Sequence, residues 1–325
     1  MYSEDLSPEL QQWADMLRSP NVEDRLVAVK TLQHIGDEDA VEILIEALKD
    51  DSPAVQKIAV TTLWELANPV AIPPLLECLG SLHEEIREEA LSALKELVAP
   101  DDLLKLLDAL QQDDLNIQLN VLILLRKIHD AQALPYVLSF FKSPEYQLRE
   151  AAVTTLRYLN QVVRCQPAIA LMADSAVPVR RAAALTLGHL LDDNVVACLC
   201  EALVSDADWQ VRRNAAQSLA LHASPNAIPT LGEALKDEHW QVRKFAAQAL
   251  QKVADESVLP AMVMALSDEY SDVRRDVAVA LGNLGNPSVL NALQQTLDDP
   301  DMDVRIFSQR AIQKLQNAIP EIPNV

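Results

Sequence analysis

A period of 31 residues runs through the whole chain and constrains its fold more than any other feature. The clearest copies are residues 209–219 and 240–250, which read WQVRRNAAQSL and WQVRKFAAQAL. Each copy has an arginine or a glutamine at one equivalent position, and one step of the series measures 32 residues instead of 31. These ten marker positions are Arg25, Gln56, Arg87, Gln118, Arg149, Arg180, Arg212, Arg243, Arg274 and Arg305. Such self-similarity predicts a stack of equivalent units, each of which buries its apolar face on its neighbours.

Each copy of the repeat contains two helical patterns. In the second, small or apolar residues follow the marker by 3, 7 and 10 positions, as at Ala246, Leu250 and Val253, which is the spacing of one buried helix face. In the first, leucines recur four residues apart, and several segments open with a proline, which suits the first turn of a helix. We therefore predict an all-α fold, an α-solenoid formed by a superhelical stack of ten helical hairpins of about 31 residues.

No linker or low-complexity segment interrupts the repeat. We therefore predict a single domain over residues 1–325, in which residues 316–325 form a C-terminal tail because the prolines there cannot continue a helix. The pattern of the first helix in repeat 6 is poor around residues 160–165. The extra residue of the 32-residue step is expected in a turn at residues 204–208.

The charge balance limits the classes of partner. The chain carries 27 Lys and Arg against 48 Asp and Glu, a formal net charge of −21, which disfavours nucleic acid and anionic membranes as partners of the whole surface. The N-terminus lacks the pattern of a secretory signal, and no apolar run approaches the roughly 20 residues that span a bilayer. Four scattered cysteines form no disulfide framework. These observations predict a cytoplasmic protein without membrane insertion and without a nucleic-acid partner.

The repeat motif Asp-x-x-Trp-x-Val-Arg-x-x-Ala-Ala-x-Ala-Leu, at residues 237–250, resembles the short HEAT repeats of the phycobilisome lyase-like class. The match is best over repeats 6 to 9 and extends over nearly all of the chain. The resemblance implies that the second helices line the concave side of the array. It also implies two functions other than an adaptor: a bilin lyase, which would pass a linear tetrapyrrole to a phycobiliprotein, and a helper in iron–sulfur cofactor assembly.

One column of the second helices is basic in an otherwise acidic protein. The residue directly after the marker is a cation in four consecutive repeats, namely Arg181, Arg213, Lys244 and Arg275. On a helix this position lies opposite the buried stripe, so we expect these side chains to face solvent. The column, called here the basic ridge, predicts a binding site for an acidic protein surface or for the propionates of a bilin. The alternative is a solvated face with local ion pairs.

Aromatic residues lie next to this ridge. The residue three positions before the marker is aromatic at Trp209, Trp240 and Tyr146. These rings are either anchors for a ligand or structural side chains that pack the turn. Trp64, Leu119 and Ile123 lie on predicted exposed faces of repeats 2 and 4 and predict a second, apolar contact patch.

The marker arginines are expected to be structural. Acidic turn residues lie within their reach, both within a unit and between units, and would form a ladder of charge-assisted hydrogen bonds that fixes the stacking. The pairs expected within single units are Arg180 with Asp174, Arg243 with Asp237 and Arg274 with Asp268.

Signals for catalysis and for metal binding are weak. Cys198 and Cys200 would point about 200° apart on a helix, and His83 is the one histidine directly followed by glutamate. Phosphate-binding glycine loops and nucleophile elbows are absent from the sequence. We therefore predict a non-catalytic adaptor that binds a protein partner with an acidic surface and needs no cofactor or metal. A linear tetrapyrrole remains an alternative ligand.

Overall fold

The computed structural model describes residues 7–317 as helices joined by short turns, with no strand in that range. The chain divides into two compact units, residues 1–161 and 162–325. Each unit contains five helical pairs in its described part, and every pair corresponds to one copy of the repeat. The predicted all-α solenoid of helical repeats is therefore confirmed. The single domain over residues 1–325 stays a prediction.

In the first unit, short first helices alternate with longer second helices. The first helices are α1 (Pro8–Met16), α3 (Val41–Ala47), α5 (Ile72–Cys78), α7 (Leu103–Leu110) and α9 (Leu134–Ser139). The second helices are α2 (Val22–Ile35), α4 (Pro53–Leu66), α6 (Glu84–Leu97), α8 (Leu115–Ile128) and α10 (Tyr146–Leu156). Each second helix packs on the first helix of its own pair and on the second helices of neighbouring pairs.

The second unit repeats this arrangement. Its first helices are α11 (Gln166–Ala170), α13 (Val195–Ser205), α15 (Ile228–Ala234), α17 (Leu259–Ala265) and α19 (Leu290–Gln295). Its second helices are α12 (Val177–Leu187), α14 (Trp209–His222), α16 (Trp240–Val253), α18 (Ser271–Leu284) and α20 (Met302–Asn317). The weak pattern of repeat 6 corresponds to α11, which has only five residues.

Two boundaries differ from those predicted. Val204 and Ser205 are not in a turn, because α13 continues through them. Gln316 and Asn317 are not in a tail, because α20 continues to Asn317. The rest of the predicted tail, residues 318–325, lies outside the described residues. Of the helices in residues 7–317, none has the length and apolar character that a membrane crossing needs.

Small side chains let the second helices pack closely. Ala246, Ala247 and Leu250 of α16 are fully buried, as the repeat pattern predicts. One close approach involves Gly282 of α18, where a Cβ atom would lie 2.7 Å from the Cβ of Ala311 on α20. Because real Cβ atoms do not approach so closely, this contact requires glycine.

Candidate binding surface on the second helices

The marker side chains connect consecutive turns. In all ten repeats the marker donates a hydrogen bond to the backbone oxygen six residues before it, as Arg243 does to Asp237 at 2.8 Å. The Nε and Nη2 atoms of Arg243 also pair with the two carboxylate oxygens of Asp268, at 2.5 and 2.9 Å. The same two-bond pair recurs in Arg25–Asp50, Arg180–Asp206, Arg212–Asp237 and Arg274–Asp299.

This ladder confirms the structural role of the markers and refines the partners. Within its own unit, each of Arg180, Arg243 and Arg274 bonds the predicted aspartate through the backbone oxygen. The carboxylate of its ion pair comes from the next repeat, because the guanidinium lies between two successive turns. The ladder is therefore an interface between repeats, and its bonds to charged groups are the stronger kind.

The basic ridge is present, but most of it is paired. Its ion pairs are Arg181–Asp208 at 2.5 Å, Lys244–Asp272 at 3.3 Å, Arg275–Asp272 at 2.8 Å and Arg275–Asp276 at 3.1 Å. The four cations are half-buried, and not simply solvent-facing as expected, because these carboxylates and the neighbouring helices cover part of each side chain. Arg181, Lys244 and Arg275 thus each have a carboxylate within ion-pair distance.

Arg213 differs from the other ridge residues. Its Nε and Nη2 atoms donate to the Oδ1 atom of Asn214, at 3.1 and 2.7 Å. Asn214 is buried and in turn donates to the backbone oxygen of Arg181 at 3.0 Å. The guanidinium also lies 5.7 Å from the ring centroid of Trp209. Its partners are thus neutral, and no described carboxylate lies within ion-pair distance of it.

Each of the two tryptophans beside the basic ridge stacks on an aromatic ring from the next repeat. Trp209 stacks on His239 with ring centroids 5.1 Å apart and planes 7° apart. Trp240 stacks on Tyr270 at 5.1 Å and 15°. Arg213 lies over Trp209, and Lys244 lies over Trp240 at 5.8 Å. We call Trp209 with His239, and Trp240 with Tyr270, the two aromatic clusters.

The sequence reasoning missed His239 and Tyr270. Both lie four residues before a marker, in the repeats that follow those of Trp209 and Trp240, and this shared register was the available signal. The rings pack the turns, which is the structural role predicted as one of two possibilities. Tyr270 is nevertheless 40% exposed, so part of its cluster can be reached by a partner. Tyr146, at the start of α10, belongs to the first unit and is 42% exposed.

The predicted apolar patch is not continuous. Trp64 on α4 is 39% exposed, and Leu119 and Ile123 on α8 are half-buried. Helix α6 packs against both α4 and α8, and it carries the exposed residues Glu88 and Lys95 at the corresponding positions. A contact role for these three apolar residues stays a prediction.

The cysteines are held in their neutral form. Burial raises the pKa of Cys78 to about 12, and it also raises the pKa values of Cys165, Cys198 and Cys200. Thiols with raised pKa values are poor nucleophiles. Over residues 7–317, no three His, Cys, Asp or Glu side chains are grouped so that they could hold a metal ion.

Acid should weaken the pairs between repeats. The hydrogen bond from Arg181 lowers the pKa of Asp208, and the one from Arg274 lowers the pKa of Asp299. A carboxylate with a lowered folded pKa stabilises the fold above its unfolded pKa of about 3.9, and this contribution is lost as the pH falls through the folded pKa. We expect the urea concentration at the unfolding midpoint to decrease as the pH falls below about 4. Asp208→Asn keeps a capping side chain but cannot titrate, so its urea midpoint should decrease less with acid. A variant whose midpoint has the same pH dependence as that of the unchanged protein would contradict this assignment.

The chain belongs to the HEAT-repeat family. The HEAT-repeat pattern matches residues 10–95, 103–188, 196–282 and 263–321. No curated protein matches the sequence. Among solved structures, the chain is similar to an engineered protein, with a TM-score of 0.54, 20% identity, and coverage of 95% of this chain and 99% of that chain.

A second similar structure comes from a study of Kap95p binding to RanGDP and of nuclear import complex assembly. It matches with a TM-score of 0.60 and 15% identity, over 95% of this chain and 51% of that chain. At these identities the similarity of both structures concerns the fold alone.

Proposed function

We propose that this protein is a non-catalytic scaffold that binds a protein partner through the basic ridge and the two aromatic clusters. The observation that supports this best is the recurrence of one cation–aromatic arrangement in consecutive repeats, with Arg213 over Trp209 and Lys244 over Trp240. HEAT-like arrays use such extended surfaces for binding. Buried aromatic and arginine side chains are also the residues that carry most of the affinity in protein interfaces.

The charge distribution favours an acidic partner surface. Residues 1–161 contain 13 basic and 28 acidic residues, a balance of −15, whereas residues 162–325 contain 14 and 20, a balance of −6. Within the described residues, three of the four ridge cations have a carboxylate within ion-pair distance, and Arg213 has none. Complementary charge raises the association rate more than the affinity. Carboxylates of the partner would therefore meet Arg213, while an apolar side chain would cover the tryptophan rings.

A linear tetrapyrrole is the alternative ligand, in keeping with the phycobilisome lyase-like resemblance. The aromatic clusters would contact its rings, and the ridge cations would pair with its propionates. Mixing the protein with phycocyanobilin would then shift the visible absorption band of the pigment, and Trp240→Ala would reduce the shift.

The scaffold proposal is tested by comparing captured partners. The protein with both Trp209→Ala and Trp240→Ala should lose the partners that the unchanged protein retains, because the apolar part of the surface is removed. Tyr136→Ala removes an exposed aromatic residue elsewhere and should retain them. Quantitative mass spectrometry of the captured proteins measures the difference, and identical sets from all three proteins would count against the proposal.

The role of charge is tested by kinetics with a captured partner. Arg213→Gln should slow association by a few fold at low salt and make it less salt-dependent, because one unneutralised cation is lost. Dissociation should change less. Arg213→Lys is the matched control, since it keeps the charge and should associate at a rate close to that of the unchanged protein.

A further inference from the structure

We propose that the groove between α18 and α20 binds an acidic peptide segment of a partner protein through one large apolar side chain. The groove encloses about 180 Å³, and Val279, Gly282, Phe307 and Ala311 form its apolar lining. Arg310 and Lys314 also line it and are exposed. None of the residues of the basic ridge or of the aromatic clusters takes part, so this second site does not depend on the function proposed above.

The preceding repeat shows why this groove is open. Between α16 and α18, Gln248 donates to a carboxylate oxygen of Asp276 at 2.8 Å, and Gln251 donates to its backbone oxygen at 3.2 Å. These side chains bridge the two helices. One repeat later, the positions of Gln248 and Gln251 are occupied by Val279 and Gly282.

The facing position changes in the same step. Phe307 on α20 takes the place that Asp276 has on α18, so the polar bridge is replaced by an apolar surface. Gly282 cannot be replaced by a larger residue without moving α20, because a Cβ atom would lie 2.7 Å from the Cβ of Ala311. Glycine at position 282 allows the close helix contact and has no side chain that could bridge α18 and α20. The groove between the two helices therefore has no counterpart of the Gln248–Asp276 and Gln251–Asp276 bonds.

The two cations of the groove have uncharged partners. The guanidinium of Arg310 lies 5.1 Å from the ring centroid of Phe307, and the Nζ atom of Lys314 donates to the Oδ1 atom of Asn283 at 2.9 Å. Within residues 7–317 no carboxylate lies within ion-pair distance of either cation. In the ridge, by contrast, Lys244 and Arg275 are ion-paired. An apolar groove beside two unneutralised cations fits a ligand that combines an apolar side chain with carboxylates.

The volume indicates the size of the anchoring side chain. An apolar cavity of about 150 Å³ holds one benzene molecule, so a groove of about 180 Å³ fits one phenylalanine or leucine side chain. Carboxylates on the flanking residues of the peptide would lie close to Arg310 and Lys314.

A panel of peptides tests the proposal with the full chain. The probes are fluorescein-labelled pentapeptides Glu-Asp-Xaa-Asp-Glu in which the central residue is Phe, Leu or Ala, and fluorescence polarisation at low salt measures the Kd. The Phe and Leu peptides should bind about tenfold more tightly than the Ala peptide, and added salt should weaken all three. Val279→Gln, which restores the side chain of the preceding repeat, and Arg310→Glu should each weaken Phe-peptide binding by about tenfold.

A matched variant separates this site from the rest of the surface. Lys236→Glu reverses an exposed cation outside the groove and should leave the Kd unchanged. Equal affinity for the Ala and Phe peptides, no binding of the Phe peptide up to about 1 mM, or equal affinity of Val279→Gln and the unchanged protein would each overturn the proposal. Self-association that Arg310→Glu abolishes in sedimentation experiments would also overturn it, because a second copy would then be the occupant.

Discussion

Replacing Leu250 with alanine should lower the free energy of unfolding by about 2–5 kcal/mol. Leu250 is fully buried on α16, which packs between α14 and α18. The substitution removes apolar contacts and leaves a cavity that the neighbouring helices fill only in part. Urea denaturation measures the loss. Gln241→Ala on the same helix, at a partly exposed position, should change the free energy of unfolding by no more than about 0.5 kcal/mol.

The damage should also be local. In a repeat array each unit contacts its neighbours alone, so destabilisation spreads from the altered repeat outward. Hydrogen exchange should therefore show the earliest loss of protection in α16, α14 and α18, before α12 and α20. A uniform loss over the second unit would mean that the five repeats unfold together.

Replacing Arg243 with methionine should cost about 2–4 kcal/mol, because it leaves the carboxylate of Asp268 without its partner in a largely covered position. The side chains of Arg243 and Asp268 are only 13% and 7% exposed. Arg305→Met is the matched control, since Arg305 occupies the same position in repeat 10. Among residues 7–317, Arg305 bonds the backbone oxygens of Asp299 and Pro300, and its loss should cost about 1 kcal/mol.

The difference between these two variants measures the bonds to the carboxylate together with the contact of the Arg243 guanidinium with the Tyr270 ring, 5.8 Å from the ring centroid. A double-mutant cycle with Arg243→Met and Asp268→Asn would measure the same coupling directly. Equal destabilisation by Arg243→Met and Arg305→Met would show that the backbone bonds alone account for the effect.

The repeat period was sufficient to predict the fold, because each position has the same role in every unit. Ala246 and Leu250 could be assigned to the core, and Arg243 to the ladder, from their register alone. Local ion pairs were one of the two predicted outcomes for the ridge, but which cations are paired could not be predicted. Lys244 lies on α16 and Asp272 on α18, the second helix of the next repeat. Whether the two side chains meet depends on the offset between these helices, which the period does not specify.

The aromatic clusters and the groove were missed for related reasons. Trp209 lies three residues before its marker, and His239 lies four residues before the marker of the next repeat. A comparison of equivalent positions alone therefore does not reveal that the two rings stack. The groove depends on Gly282 and Phe307 differing together from the residues one repeat earlier. The effect of two such substitutions becomes clear only when the structure shows that the two positions face each other on neighbouring helices.

The ladder also gives a direction to each junction at which a marker arginine pairs with an aspartate of the next repeat. A repeat that takes part in such pairs on both sides presents a guanidinium donor toward its C-terminal neighbour and an aspartate acceptor toward its N-terminal neighbour. Two such repeats can therefore be joined in one order along the chain and not in the reverse order. Contacts of this head-to-tail kind join two different surfaces, so they extend the array and do not pair a surface with a copy of itself. Any unit with both groups, such as the repeats of Arg212 and Arg243, could be duplicated or removed as a whole without changing the chemistry of the joint. The repeats marked by Gln56 and Gln118 lack the charged donor, and exchange of units should be tolerated least there.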